Sequence, residues 1–168
     1  MSGSREQVYL DSCIFIAHLN NEDRQDPNDR FGIDEIVNQF DLGQIEIVTS
    51  TLTITEVMRT KIPQEQLKRF RSLFSRRNFH LVDVTREIAE VSEEIRSYYY
   101  EPNKATLGTP DCIHIATAIY WPCDVLLTFD GEGNRPGILG LQNPIAGKYN
   151  LQIRKPNPTR PPQLAFNF

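Results

Sequence analysis

Apolar and polar positions run along the chain in blocks whose period changes several times. Residues 8–16, VYLDSCIFI, form a short, β-branched-rich apolar run with one carboxylate, Asp11, inside it. Such a run predicts a buried strand over 7–16. Asn20 to Asn28, with Pro27, is polar and reads as a loop or cap. Phe31, Ile33, Ile36, Val37 and Phe40 recur at helical spacing and stop near Gly43, which predicts a helix over 31–40. GQIEIVTS is a second strand. Ser50 or Thr51 can cap a helix through Ile54, Val57 and Met58 that Pro63 interrupts. A further helix, Gln64 to Ser75, turns Leu67, Phe70 and Phe74 inward.

FHLVDV is a third strand, and Thr85 opens a helix with Ile88, Val91 and Ile95 on one stripe. The segment YYYEPNKATLG is a loop. Thr109 is then the expected N-cap, with Pro110 at the first helical position, and the helix carries Ile113, Ile115, Ala116 and Ile119. DVLLTF is a fourth strand and YNLQIRK a fifth. The end, KPNPTRPPQLAFNF, is proline-rich and extended, with Phe166 or Phe168 available to dock it. Strands alternating with helices predict an α/β domain with a mostly parallel sheet. The expected organisation is one domain over 7–153 and a proline-rich tail over 154–168, with no internal repeat.

Composition narrows the class. The chain has 168 residues, 39% hydrophobic and 24% charged, enough for one sizeable core. No apolar stretch approaches the ~18 residues that cross a bilayer, and MSGSREQ lacks the apolar centre of a signal peptide. Three cysteines, Cys13, Cys112 and Cys123, form no CxxC pair and fit a reduced, cytoplasmic compartment. The net charge of −4 argues against a polyanionic partner until it is mapped. Between Arg59 and Arg77 stand Arg59, Lys61, Lys68, Arg69, Arg71, Arg76 and Arg77 against Glu65 alone, and Arg154, Lys155 and Arg160 follow in the tail. A local basic stretch of this kind can bind a polyanion although the total is negative; the plainer alternative is a solvated helix face.

The carboxylates carry the chemistry. In open α/β sheets, ligands bind beyond the carboxyl ends of the strands, at a topological switch point. Asp11 follows VYL and Asp130 follows VLLTF, while Glu56 and Asp111 fall in the first turns of two helices. Each has a structural alternative. Asp111 suits a helix macrodipole, Thr53 to Glu56 is a formal capping box, and Asp130 before Gly131 is a turn signal. Asp11 is harder to explain that way, because its apolar surroundings offer no charged neighbour. Four acids converging on one cleft call for a divalent cation, and oxygen donors suit Mg²⁺ or Mn²⁺. His114, three residues after Asp111 and among isoleucines, reads as a packed core histidine and stays outside the metal set. His18 and His80 show no ligand spacing.

The stretches VYLDSCIFI, IVTSTLTITEVMR, LVDVTREIAEVSEEIR, GTPDCIHIATA and VLLTFDG, in this order over residues 8–131, resemble the PIN domain family, most closely its VapC-type toxin branch. The resemblance implies a central parallel sheet of order 3-2-1-4-5 flanked by helices. It also implies a Mg²⁺- or Mn²⁺-dependent ribonuclease. Asp11, Glu56, Asp111 and Asp130 match the four acidic positions that bind metal and catalyse. Ser12 and Thr128 match the small hydroxyl positions beside them and are expected to contact the substrate, and Cys13 stands where many relatives carry Asn. Implied partners are RNA, a small antitoxin protein and a second copy in a homodimer.

In such a site, metal-activated water attacks a phosphodiester in line and leaves a 5′-phosphate and a 3′-hydroxyl. Lys68, Arg69 and Arg71 in the basic stretch would hold flanking phosphates. A haloacid-dehalogenase phosphatase wants DxD where this chain has Asp11-Ser12-Cys13, and a receiver domain wants an acidic pair there. An RNA-processing or decay nuclease, and an inactive scaffold serving as a binding module, stay open beside the toxin reading.

Overall fold

The computed structural model describes residues 5–58, 61–102, 104, 107–133 and 135–159. Five parallel strands form one sheet in the order β3-β2-β1-β4-β5, the order expected. They are β1 (Glu6–Leu10), β2 (Ile45–Ser50), β3 (Phe79–Val82), β4 (Val125–Leu127) and β5 (Gln152–Arg154). The helices are α1 (Ser12–Leu19), α2 (Pro27–Asp41), α3 (Leu52–Met58), α4 (Gln64–Ser72), α5 (Arg86–Tyr98) and α6 (Thr109–Tyr120). Successive strand side chains point to opposite faces, so β1 feeds two cores. Val8 and Leu10 pack with α1, α2 and α4 through Ile14, Phe15, Ile33 and Phe70. Tyr9 packs on the other face with Ile88 and Ile95 of α5 and Ile115 of α6.

The expected first strand is the largest correction. It ends at Leu10, and Ser12 to Leu19 is helical. A short continuous apolar run does not distinguish a buried strand from a buried helix. Here the carboxylate decides. Asp11 keeps an extended backbone (φ −68°, ψ 154°) and its side chain accepts the Ser12 N–H, capping α1. The Asp11 N–H still reaches across to the Leu127 carbonyl at 3.1 Å. Asp11 therefore stands in the crevice between β1 and β4, where the strand order reverses.

Other boundaries moved less. Asp26 caps α2 through the Asn28 N–H, so that helix begins at Pro27 rather than Phe31. Ser50 Oγ accepts the Leu52 N–H at 3.2 Å and starts α3. Arg59, the first cation of the basic stretch, lies outside the described residues. In α6 the cap is Gly108, and Thr109 and Pro110 are already helical. Helix α4 ends at Ser72, and a 3₁₀ turn continues to Ser75. Phe70 and Phe74 meet edge-to-face at 5.2 Å and anchor this segment to the core, which turns Lys68, Arg69 and Arg71 to solvent.

After β5 the chain runs along α2. A Cβ on Gly32 would stand 1.3 Å from the Pro156 carbonyl oxygen, so only glycine permits this approach. Thr159 donates its backbone N–H to Glu35 at 2.9 Å. Arg160, Phe166 and Phe168 lie outside the described residues. Among the described residues no helix is long and apolar enough to cross a membrane. The three cysteines are free thiols; burial pushes Cys112 up to about 11 and Cys123 up to about 12.

Candidate active site

Asp11 is 5% exposed, and donors from two strand ends surround it. Its Oδ1 accepts the Ser12 N–H at 2.6 Å and the Ser12 hydroxyl at 3.2 Å. Its Oδ2 accepts the Thr128 hydroxyl at 2.6 Å and the Cys13 thiol at 3.3 Å. Thr128 is fully buried just beyond β4, and its Oγ1 also accepts the Asp130 N–H at 2.9 Å. One hydroxyl thus ties the carboxylate after β1 to the residue after β4. The Cys13 Sγ accepts the Phe129 N–H at 3.2 Å and closes the same junction. Burial, followed by the Asp11 charge, raises the Cys13 pKa, so this thiol stays protonated and acts as a weak donor.

Glu56 is half-buried on α3, in its second turn rather than the expected first because the helix starts at Leu52, and comes close to Asp11. Thr53 is not a cap: it lies inside α3, and its hydroxyl bonds Thr49 at 2.7 Å. The capping-box alternative for Glu56 is therefore removed. Asp111 does make the bond of a capping box, its Oδ2 accepting the Gly108 N–H at 2.9 Å. Asp130 Oδ2 accepts the Ile138 N–H at 2.8 Å and fastens the following loop. A Cβ on Gly137 would come within 2.5 Å of that oxygen. Burial raises the Asp111 pKa; the Gly108 bond opposes this, and the charges of Asp130 and Asp11 add to it. Asp111, Asp130 and Asp11 therefore act on one another, Glu56 meets Asp11 through His114, and neighbouring like charges favour a bound cation.

The tightest group of possible ligand atoms among the described residues is a different one. It consists of Asp11, Glu56 and His114, whose nearest ligand atoms all lie within 4.8 Å of one another. His114 Nε2 is 2.7 Å from Glu56 Oε2 and 3.5 Å from Asp11 Oδ1, and its Nδ1 is 2.7 Å from the Tyr9 hydroxyl. Burial disfavours the imidazolium, but the Glu56 bond and the charges of Asp11, Glu56 and Asp111 outweigh it and raise the His114 pKa. Sequence reasoning left His114 out as a core residue. It is in the core, at 1% exposure, and it also touches the acids. The signal available was its spacing: three residues after Asp111 places it one turn further along the same helix face. Nothing in the strand pattern marked Tyr9.

The donor set fits a hard divalent cation. Carboxylates arrive from β1, α3, α6 and the end of β4, with backbone and hydroxyl groups orienting them. Ser12 and Thr128 serve Asp11 directly. Lys68, Arg69 and Arg71 stand apart: all three are exposed on α4, and Lys68 pairs with Glu65 at 3.7 Å. Among the described residues none of them is ion-paired with the acid cluster. Beside Asp111 opens a cleft of about 240 Å³ lined by Tyr99, Leu107, Arg135, Gly137 and Leu141.

No curated protein matches the chain by sequence. Solved structures do match in fold. A toxin–antitoxin complex from Klebsiella pneumoniae aligns at TM-score 0.53 and 22% identity, covering 74% of this chain and 88% of that one. VapC20 of Mycobacterium tuberculosis, described as a sarcin-ricin loop cleaving toxin, aligns at 0.55 and 12%, covering 74% and 91%. VapBC2 of Rickettsia felis, bound to a DNA fragment from its promoter, aligns at 0.58 and 16%, covering 89% and 98%. The family model for the PIN domain matches residues 8–137, a span that contains all four acids, His114 and Thr128. The chain belongs to the PIN domain family.

Proposed function

We propose that the protein is a Mg²⁺- or Mn²⁺-dependent ribonuclease and the toxin of a toxin–antitoxin pair. One observation carries the reading: Asp11, Glu56, Asp111 and Asp130 stand on four elements at the carboxyl edge of a parallel sheet, where Asp111 feels the charges of Asp130 and Asp11, and Glu56 lies beside Asp11. When bound, the cation supplies an activated water and neutralises charge on the phosphodiester. The chain's own part is to hold the donors. Ser12, Cys13 and Thr128 lock Asp11, the Gly108 amide orients Asp111, and the Ile138 amide orients Asp130. Lys68, Arg69 and Arg71 hold phosphates on either side of the scissile bond. Residues 7–153 form the nuclease unit, and residues 154–159 of the proline-rich tail fasten along α2.

The toxin role draws on the fold neighbours and on one surface. Between α1, α2 and α4 runs an apolar groove of about 320 Å³, lined by Ile14, Phe15, Ile36, Val37, Phe40 and Leu73, with Arg69 at its margin. It fits an apolar segment of a small antitoxin, with an acidic residue set against Arg69. The decisive experiment incubates the purified protein with RNA and Mn²⁺ and maps the cut ends. The reading expects 5′-phosphate and 3′-hydroxyl ends and no cutting in EDTA. Cutting that persists in EDTA, or 2′,3′-cyclic phosphate ends, would overturn it.

A further inference from the structure

Asp11 and Glu56 are held in different ways. Asp11 is short, sits at a strand end and has four donors around it. Glu56 is long and stands on a helix of seven residues, so fixing it costs more rotamer entropy. We propose that His114 is a positioning residue of this site, fixing Glu56 beside Asp11 through a buried hydrogen-bond chain anchored on Tyr9. The inference rests on the nuclease reading above.

The chain crosses four elements, β2, β1, α6 and α3. The Ser50 N–H donates to the Tyr9 oxygen at 3.1 Å, which leaves the Tyr9 hydroxyl proton to donate to His114 Nδ1 at 2.7 Å. Nδ1 is then the acceptor, and the network assigns the ring proton to Nε2, which donates to Glu56 Oε2 at 2.7 Å. Tyr9 is 0% exposed and His114 1%, so water does not compete with the Ser50–Tyr9 and Tyr9–His114 bonds, and only the Glu56 end of the chain reaches the edge of the site. An aliphatic residue would fill this position among Ile113, Ile115 and Ala116 without the cost of burying an imidazole. The histidine gives a rigid bond from the α6 backbone to a flexible acid on α3. It also brings Nε2 to 3.5 Å from Asp11 Oδ1, so one ring sets the spacing of both acids.

The test compares the parent with His114→Leu, His114→Gln, Tyr9→Phe and the Tyr9→Phe/His114→Leu double variant. Cleavage of an RNA oligonucleotide gives kcat and KM, calorimetry gives Mn²⁺ affinity, and thermal melts confirm folding. In His114→Leu, kcat falls about 10- to 100-fold and Mn²⁺ affinity about tenfold, the usual loss when a ligand-orienting partner is removed. KM stays within about threefold, because RNA contacts are untouched. Tyr9→Phe loses less, and adding it to His114→Leu costs nothing more, since the chain is already cut. His114→Gln recovers part of kcat, because its amide N–H can reach Glu56. Unchanged kcat in folded His114→Leu, or fully additive losses in the double variant, overturns the proposal. If His114→Leu does not fold, Tyr9→Phe decides alone: it removes one oxygen, and an unchanged kcat overturns the proposal. A parent that neither cleaves RNA nor binds Mn²⁺ overturns both this proposal and the nuclease reading.

Discussion

Asp11 and Asp29 are both buried, at 5% and 1% exposure, and their surroundings differ in kind. Asp29, in the first turn of α2, lies 2.6 Å from Lys155 Nζ and 3.4 Å from Arg24. Both cations also reach Glu132, and Arg24 stacks 3.7 Å above the Phe129 ring. The cluster sets Asp29 and Glu132, with Glu22 at its edge, against Arg24 and Lys155, so each buried charge meets a cation of the chain itself. Around Asp11 the described residues supply an amide, two hydroxyls, a thiol and an imidazole, but no lysine or arginine within ion-pair distance. A charge that the chain balances itself holds structure together. A charge that it orients with dipoles and sets among other acids fits a cation from outside.

The largest expected effect is on catalysis at Asp11. Asp11→Asn keeps an N-cap oxygen for α1 but loses the negative charge. RNA cleavage falls about a thousandfold, the equivalent of roughly 4 kcal/mol of lost charge stabilisation. Its melt in EDTA stays within about 1 kcal/mol of the parent, because Asn caps as well as Asp. A melt far below the parent would make Asp11 a structural acid like Asp29.

Lys155→Met should do the reverse. Asp29 loses its closest cation while staying buried, which costs about 3 kcal/mol by urea unfolding, with activity per folded molecule retained. An unchanged melt would remove the contrast between the two clusters. A smaller effect comes with acid. Burial opposes ionisation of Glu132, but the Lys155 and Arg24 bonds outweigh it and depress its pKa. That contribution is complete above the unfolded carboxyl value of about 4.3 and is lost as pH falls through the lower folded value. Melts taken from pH 6 downward should show a smaller acid-induced loss in Glu132→Gln than in the parent.

The smallest effect is expected at α4. Reversing Lys68, Arg69 and Arg71 to Glu should flatten the log–log salt dependence of RNA binding by up to about 2, at −0.7 for each single-strand phosphate released. Mn²⁺ affinity should not change. An unchanged slope would return α4 to a solvated face and move the RNA path elsewhere.

The alternation of strands and helices and the strand-end places of Asp11 and Asp130 were legible for local reasons, whereas the sheet order came with the resemblance to PIN domains. Asp11 follows three apolar residues of a buried strand, and Asp130 follows β4 in the same way. What stayed hidden depended on tertiary contacts. The boundary at Asp11 was lost because Cys13 to Ala17 is apolar enough to continue a strand. The capping box at Thr53 looked sound because spacing does not reveal that β2 and Thr49 engage that hydroxyl. His114 was read by its neighbours in the chain, whereas its partners, Tyr9 and Glu56, are 105 and 58 residues away. The Asp29 cluster could not be seen at all, since it joins α2, the loop after β4 and the segment after β5.

Mn²⁺ titration by calorimetry, on the parent, Asp11→Asn and Lys155→Met, tests the contrast most directly. The parent and Lys155→Met should bind Mn²⁺ with the same affinity, and Asp11→Asn should lose binding. Equal Mn²⁺ affinity in the parent and Asp11→Asn would contradict that contrast.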